Sequence, residues 1–332
     1  MRRLPALPVL FFLLFLKAGI HAQGETISPA PAPQTVLTGV YLMNLYDLNL
    51  DEHSFYADFY IWFKWRGDTD PTEIEFVNAV EKWGMTMTPF EDSTITLSDG
   101  WSYQGFRVEG RFFHPFLLDR FPLDRHELKI HLENPDHPVE SLVYVPDTTS
   151  PAMYYRPELL LAGWDVTGAS LKPETHAYRT HFGNPDNPAS TFSDLVFTFV
   201  LKRPVSYFLL KLLLPLTIVI LAAIGALLFF PSYVDARISL PVGSLLTAVF
   251  LQQSYSDALP DVGYMVLMDK IYLLGYTLIA AVMLQLIITG NRLRALKKKG
   301  LYHEQVKRKE RKLACLFLGL YALGTGLLVW LA

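Results

Sequence analysis

The 332-residue chain has a single cysteine, Cys315. One thiol closes no disulfide within a chain and builds no cysteine-based metal site. A domain that is exported without disulfides must be held by its apolar core, and this chain is long enough to form one. There is also little excess of either charge, with 29 Lys or Arg against 32 Asp or Glu. The formal net charge is -3, so no basic surplus points to nucleic acid. The chain contains no HExxH, no nucleophile elbow, no phosphate loop and no pair of carboxylates in a recognisable setting. We therefore expect a protein that is not an enzyme and calls for no cofactor and no metal.

What the chain has in quantity is hydrophobicity, at 51% of residues. It begins MRRLPALPVLFFLLFLKAGIHAQG, with Arg2 and Arg3 ahead of an apolar run from Leu7 to Leu16. That is the layout of a secretory signal, with cleavage after Ala22, although Ile20 is large for the third position back. An uncleaved anchor is the alternative, but the run is short for a span. Residues 23–34, rich in Pro and Ala, read as a flexible leader.

From residue 35 to 203 the pattern is that of strands. VLTGVYLMNLYDLNL, SFYADFYIWFKW, YQGFRVEGRFFHPF, HELKIHLEN, LLLAGWDVTGASL and TFSDLVFTFVLKR are short, aromatic and β-branched, and turn residues separate them. This spacing predicts an antiparallel β-sandwich. From residue 204 to 332 the character changes. Apolar runs cover Ser206–Phe230, Asp235–Asp257, Val262–Ile288 and Leu313–Ala332. Each has roughly the 20 residues that a helical span needs. Between the last two lies a basic connection, 290–312, with ten Lys or Arg and two Glu. Such an excess places a loop in the cytoplasm, which leaves the β region outside. Contact of this loop with lipid headgroups is expected as well.

The second run, DARISLPVGSLLTAVFLQQSYSD, is the odd one. Asp235, Ser239, Gly243, Leu246, Phe250, Gln253 and Asp257 are spaced by 4, 4, 3, 4, 3 and 4 residues, which places them on one stripe of a helix. Ionisable groups inside a membrane face a cavity or a partner, not lipid. Around an axis the stripe would become rings, acidic at both mouths with an apolar constriction between. The alternative is a bundle helix that buries this stripe against its neighbours. Pro241 lies within the same helix, where it removes a backbone bond and crowds the carbonyl of Arg237. A hinge near a gate and a kink fixed by packing are its two readings.

Several short motifs follow one another in an order that resembles the pentameric ligand-gated ion channels of bacterial type, in the superfamily of Cys-loop receptors. FVNAVE at Phe76–Glu81, FPLD at Phe121–Asp124, GWDV at Gly163–Val166, KRPVSY at Lys202–Tyr207, Pro215, and Leu259–Pro260 carry the resemblance, which extends over roughly Val36 to Ala332. It implies an extracellular immunoglobulin-like sandwich followed by a four-helix transmembrane bundle. It implies a multi-pass protein of a bacterial inner or plasma membrane that assembles as a homopentamer. His114 and Leu128 stand where the loop cysteines would be, so the disulfide is missing. The stretch between Phe63–Trp65 and Glu73–Asn78 is short, so an outer strand is expected to be trimmed.

The resemblance also assigns roles. The seven-residue stripe becomes the pore lining. Asp235 stands where anion-selective relatives have proline in P-A-R, which implies permeant monovalent cations. Pro122, Asp124, Arg203, Leu259 and Pro260 become the coupling between sandwich and pore, with Asp124 paired to Arg203. A small extracellular ligand is implied between neighbouring sandwiches. The residues on one side are Val77, Asn78, Glu133, His137, Tyr178, His181 and Phe192, and those on the facing side are Tyr60, Trp62 and Arg107. The aromatic cage of amine receptors is incomplete, and Arg107 would equally suit a carboxylate. Each aromatic here also fits a plain sandwich core. His114, His126, His131 and His137 keep gating by protons open. A non-conducting ligand sensor with the same fold is the second functional reading.

Overall fold

The β region of the chain alternates and then its helices do not, and this change of period decides the architecture. In the computed structural model, residues 32–149, 154–180, 183, 191–295 and 302–332 are described. The expected signal segment and nearly all of the expected leader lie outside the described residues. The first strand, β1 (Gln34–Asn49), already includes the last leader residue.

Among the described residues, eleven strands form two sheets. One holds β1, β2 (Ser54–Trp65), β4 (Ala79–Val80), β5 (Thr86–Pro89), β6 (Ile95–Thr96), β7 (Ser102–Phe113) and β9 (Leu142–Pro146), in the order β4-β7-β2-β1-β9 with β5 and β6 against β7. The other has the order β10-β11-β8-β3, from β3 (Glu75–Phe76), β8 (Arg125–Glu133), β10 (Asp165–Ala177) and β11 (Thr191–Lys202). All pairings are antiparallel except β1 with β9. The stretch that looked trimmed, 66–72, contributes no strand, and the two-residue β3 follows it.

Alternation explains the core. In β2, Phe55, Ala57, Phe59, Ile61, Phe63 and Trp65 are buried at every second position. In the other sheet, Leu128, Ile130 and Leu132 of β8 and Leu195, Phe197, Phe199 and Leu201 of β11 do the same. Both sets belong to one apolar cluster. Each such side chain withdrawn from water stabilises by about 1.5–3 kcal/mol, so a core of this kind holds without a disulfide.

After β11 the backbone turns helical. A π-helical turn, Tyr207–Leu213, opens the first long helix and passes into α1 (Leu214–Gly225). Pro215 has no N–H for the carbonyl four residues back and crowds it, and a widened turn just before it relieves both problems. Then follow α2 (Val234–Ser256), α3 (Leu267–Ala295) and α4 (Tyr302–Leu331). Four helices, Tyr207–Leu228, Val234–Ser256, Leu267–Arg292 and Glu304–Leu331, are long and apolar enough to cross a membrane among the described residues. These mark the chain as an integral membrane protein. They share a second apolar cluster. Close approach is helped by glycine: a Cβ on Gly275 would sit 2.9 Å from Ile220, and one on Gly324 would sit 2.7 Å from Leu274.

One expectation changes here. The basic stretch 290–312 reads as a loop in the sequence, but α3 continues to Ala295 and α4 starts at Tyr302. Lys, Arg and Glu are good helix formers, so the charged residues extend the helices beyond their apolar lengths. Pro241 does not interrupt α2, which is helical on both sides of it, and its side is buried.

Candidate functional site

The two apolar clusters meet at the FPLD loop. The register that pairs Arg125 with Lys202 places Asp124 opposite Arg203, at the last step before the helices. Arg203 Nε donates to Asp124 Oδ1 at 2.8 Å, and Arg203 N–H donates to the Asp124 carbonyl at 3.3 Å. Asp124 is 1% exposed. Its other oxygen accepts from His126 Nε2 at 3.0 Å. The guanidinium also lies 4.1 Å from the Trp164 ring and 5.0 Å from the Phe121 ring. Both oxygens of the carboxylate are thus engaged, and the cation is stacked on aromatic faces.

The same loop reaches the helices through its backbone. The first N–H groups of a helix have no partner within it. Here Leu267 N–H donates to the Asp119 carbonyl at 3.0 Å and Met268 N–H to the Phe121 carbonyl at 3.3 Å. Leu118 N–H donates to Tyr264 Oη at 2.9 Å. The Phe121 ring lies 6.1 Å from Tyr255 near the end of α2. Pro122 is buried, while Leu259 and Pro260 are half-buried after α2, with Leu259 packed on the helical cluster. Tyr255 Oη donates to Asp269, whose other oxygen accepts from Val266 N–H at 3.1 Å. Tyr276 Oη donates to Gln252 Oε1 at 2.6 Å. The end of α2 is therefore tied to the start of α3, which is tied to the FPLD loop.

The second helix has two different faces. Asp235, Ser239, Gly243, Leu246, Phe250, Gln253 and Asp257 are all exposed in the single chain. Leu246 and Phe250 are 57% and 65% exposed. Arg237, Pro241, Ser244, Ala248 and Tyr255 form the buried face. The spacing of the first set is matched by a complementary spacing in the second, so the stripe does not pack against the other helices of this chain. Ser239 Oγ donates to the Asp235 carbonyl at 2.7 Å, which satisfies its hydroxyl without a neighbour. Gln253 Nε2 donates to Asp257 Oδ1 at 2.5 Å.

The expected ligand residues fall into two groups. At the end of β8, Glu133 is 4% exposed. It accepts from His176 Nδ1 at 2.6 Å and from Tyr178 Oη at 3.0 Å. Phe192 stands edge-on to Tyr178 at 5.8 Å, and His176 lies 4.2 Å from the same ring. Burial and the Glu133 carboxylate push the Tyr178 hydroxyl up to about 12. Glu133, Tyr178 and Phe192 are thus brought together. His176 is an addition; it lies two residues before Tyr178 and opposite Phe192 in the ladder, which strand periodicity could have shown. His181 lies outside the described residues.

Asn78 serves the backbone. Asn78 Nδ2 donates to the carbonyls of Phe113 and Lys129 at 3.1 and 2.8 Å, and its Oδ1 accepts from His131 N–H at 3.1 Å. His137 N–H is held in a turn by Asn134 Oδ1 at 2.9 Å.

On the other sheet, Tyr60 meets Phe90 edge-on at 5.4 Å, and Trp62 Nε1 donates to Asp147 Oδ2 at 3.0 Å. Arg107 is engaged within the chain. It donates to both oxygens of Asp58, at 3.0 and 2.9 Å, and lies 3.0 Å from Glu109. The fork that seemed open to a carboxylate ligand is filled by a carboxylate of its own strand pair.

Near the seam, His114 is half-buried beside His126, with ring centroids 5.5 Å apart. Burial first, then the neighbouring His126, His53 and Lys129, lower its pKa to about 4. Its Nε2 has no hydrogen-bond partner among the described residues. Among the described residues no group of three or more His, Cys, Asp or Glu is arranged to hold a metal. In a comparison with models of known protein families, none matches this chain.

Proposed function

We propose that the chain is one subunit of a ligand-gated, cation-preferring ion channel of the pentameric family that it resembles. In this reading the two sheets are an extracellular β-sandwich. The four long helices are a transmembrane bundle, and five copies place the exposed stripe of α2 around a common axis. The contrast between the two faces of α2 carries the reading. A stripe with a carboxylate at each end and polar side chains between is unfavourable against lipid, and in the single chain it covers nothing. Acidic ends favour cations, and Leu246 and Phe250 supply an apolar constriction.

The ligand in this proposal is a small organic cation. Both oxygens of Glu133 are held by His176 and Tyr178, so the carboxylate acts through its charge, behind the half-buried rings of Tyr178 and Phe192, and an ammonium group suits those aromatic faces. A carboxylate ligand finds Arg107 already engaged by Asp58. The route from this site to α2 runs through β8 to Asp124 and Arg203, and from the FPLD loop to the start of α3.

The test is current recorded from the full-length protein in oocytes or planar bilayers. Primary and quaternary amines are applied, and the pH is stepped from about 4 to about 9 with no amine present. Amine-evoked current that reverses near the cation equilibrium potential is expected. Current evoked by acid alone would replace the amine by protons as the stimulus. Silence under every amine and pH would favour the non-conducting sensor, a reading that the bulk of Phe250 in the stripe supports.

A further inference from the structure

The one basic residue of α2, Arg237, is on its buried face and is 4% exposed. Its Nη2 donates to Glu310 Oε1 of α4 at 2.5 Å, and its Nε donates to the Ala226 carbonyl at 3.3 Å. The guanidinium is thus clamped between α4 and the end of the first helix. Glu310 is itself 1% exposed, although it lies within the run KRKERK. Arg308, Lys309, Arg311 and Lys312 around it are exposed, so the rotation of α4 turns the acid inward among its basic neighbours.

This pair is an expensive way to hold helices together. Glu310 Oε2 is buried with no hydrogen-bond partner among the described residues. A well-packed apolar pair of similar volume is often as stable as a buried ion pair or more so. What the pair supplies is position. Asp235 precedes Arg237 by two residues, about 200° around a helix, and Asp235 is exposed while Arg237 is not. Released from Glu310, the long arginine side chain can reach out from the buried face and carry its charge toward the end of the stripe.

We infer that Glu310 is a positioning residue for charge selection. By fixing Arg237 in the buried face, it keeps the helix's one cation away from the stripe and leaves Asp235 as the charge at that mouth. This rests on the channel reading above. The experiment measures reversal potentials in a sodium chloride gradient for the wild type, Glu310→Gln, and the double variant Arg237→Gln/Glu310→Gln. Glu310→Gln is expected to shift the reversal potential toward that of chloride. The double variant, which has no arginine to release, is expected to shift it back. If Glu310→Gln is not recovered as folded protein, Glu310→Asp carries the same test, being one methylene too short to keep the contact. A cation-selective wild type with the same reversal potential in the single variants overturns the inference alone. A silent or anion-selective wild type overturns the channel reading and the inference together.

Discussion

Two arginine–aspartate pairs show how the housing of a charge decides what it does. Arg203 with Asp124 and Arg107 with Asp58 have nearly the same geometry, with N–O distances of 2.8 and 2.9 Å. Their surroundings differ. The Arg203 side chain is 13% exposed and stacked on Trp164 and Phe121, whereas that of Arg107 is 46% exposed at the edge of its sheet. In the first pair neither charge can be satisfied by water if its partner is lost. In the second the arginine can. Similar distances thus describe a seam in which both charges are largely buried and an edge contact in which only the carboxylate is, its arginine being open to solvent.

Substitutions at several positions break or sharpen that contrast. The largest effect is expected at Asp124→Ala, which leaves Arg203 buried against aromatic faces and lowers stability by about 3–5 kcal/mol. Denaturation of the purified protein measures it. Combined with Arg203→Ala, the losses should fall well short of additive; full additivity would mean that the two do not act as a pair. Glu133→Gln removes a buried charge that is bonded to His176 and Tyr178 instead of an arginine. A loss of about 1–3 kcal/mol is expected, together with a higher half-maximal amine concentration in dose–response currents. An unchanged concentration would remove Glu133 from the ligand site.

His114→Phe tests a half-buried group that stays neutral. The pKa of His114 is lowered from 6.5 to about 4 in the fold, so the unfolded chain binds the proton first as the pH drops. Its contribution is fully present above 6.5 and is lost as the pH falls to about 4. Melting temperatures of the wild type should decline across that window, and those of His114→Phe should decline less. Asp58→Asn is expected to change stability less than Asp124→Ala, because the released Arg107 is 46% exposed and still lies 3.0 Å from Glu109. A melting shift as large as that of Asp124→Ala would erase the contrast between the two pairs. Asp235→Lys, at an exposed position, should leave melting unchanged and move only the reversal potential. Retained cation selectivity in that variant would remove Asp235 from the pore mouth.

Much of the architecture was legible because it depends on period. Strand alternation from residue 35 and the four apolar runs both follow directly from side-chain spacing. The Asp124–Arg203 contact was legible through motif order, and the ladder register supplies its physical reason. Contacts between elements were harder to read. Asp58 in SFYADFYIWFKW is a lone acid in a strand of apolar and aromatic residues, a sign that it needs a partner, but its sequence does not say that Arg107 provides it. Glu310 reads as one of many charges in a basic run, and only the rotation of α4 separates it from them. The charged connection between the last spans was misjudged for a related reason. Charge indicates solvent, not the absence of a helix, and those residues form helices well.

The second helix is fastened at both ends. Near Ser256 it is held to α3 through Tyr255, Asp269, Gln252 and Tyr276, and near Val234 it is held to α4 through Arg237 and Glu310. Between these fastenings lies Pro241, one turn beyond Arg237, where the backbone ladder lacks a rung because proline has no N–H to offer. A rod clamped at both ends and weakened at one point yields at that point. In the proposed channel, a pull applied at the α3 end through the FPLD loop would be taken up at Pro241 before it reached Asp235. Leu246 would then move while Asp235 stayed still, and charge selection and gating would belong to separate parts of one helix.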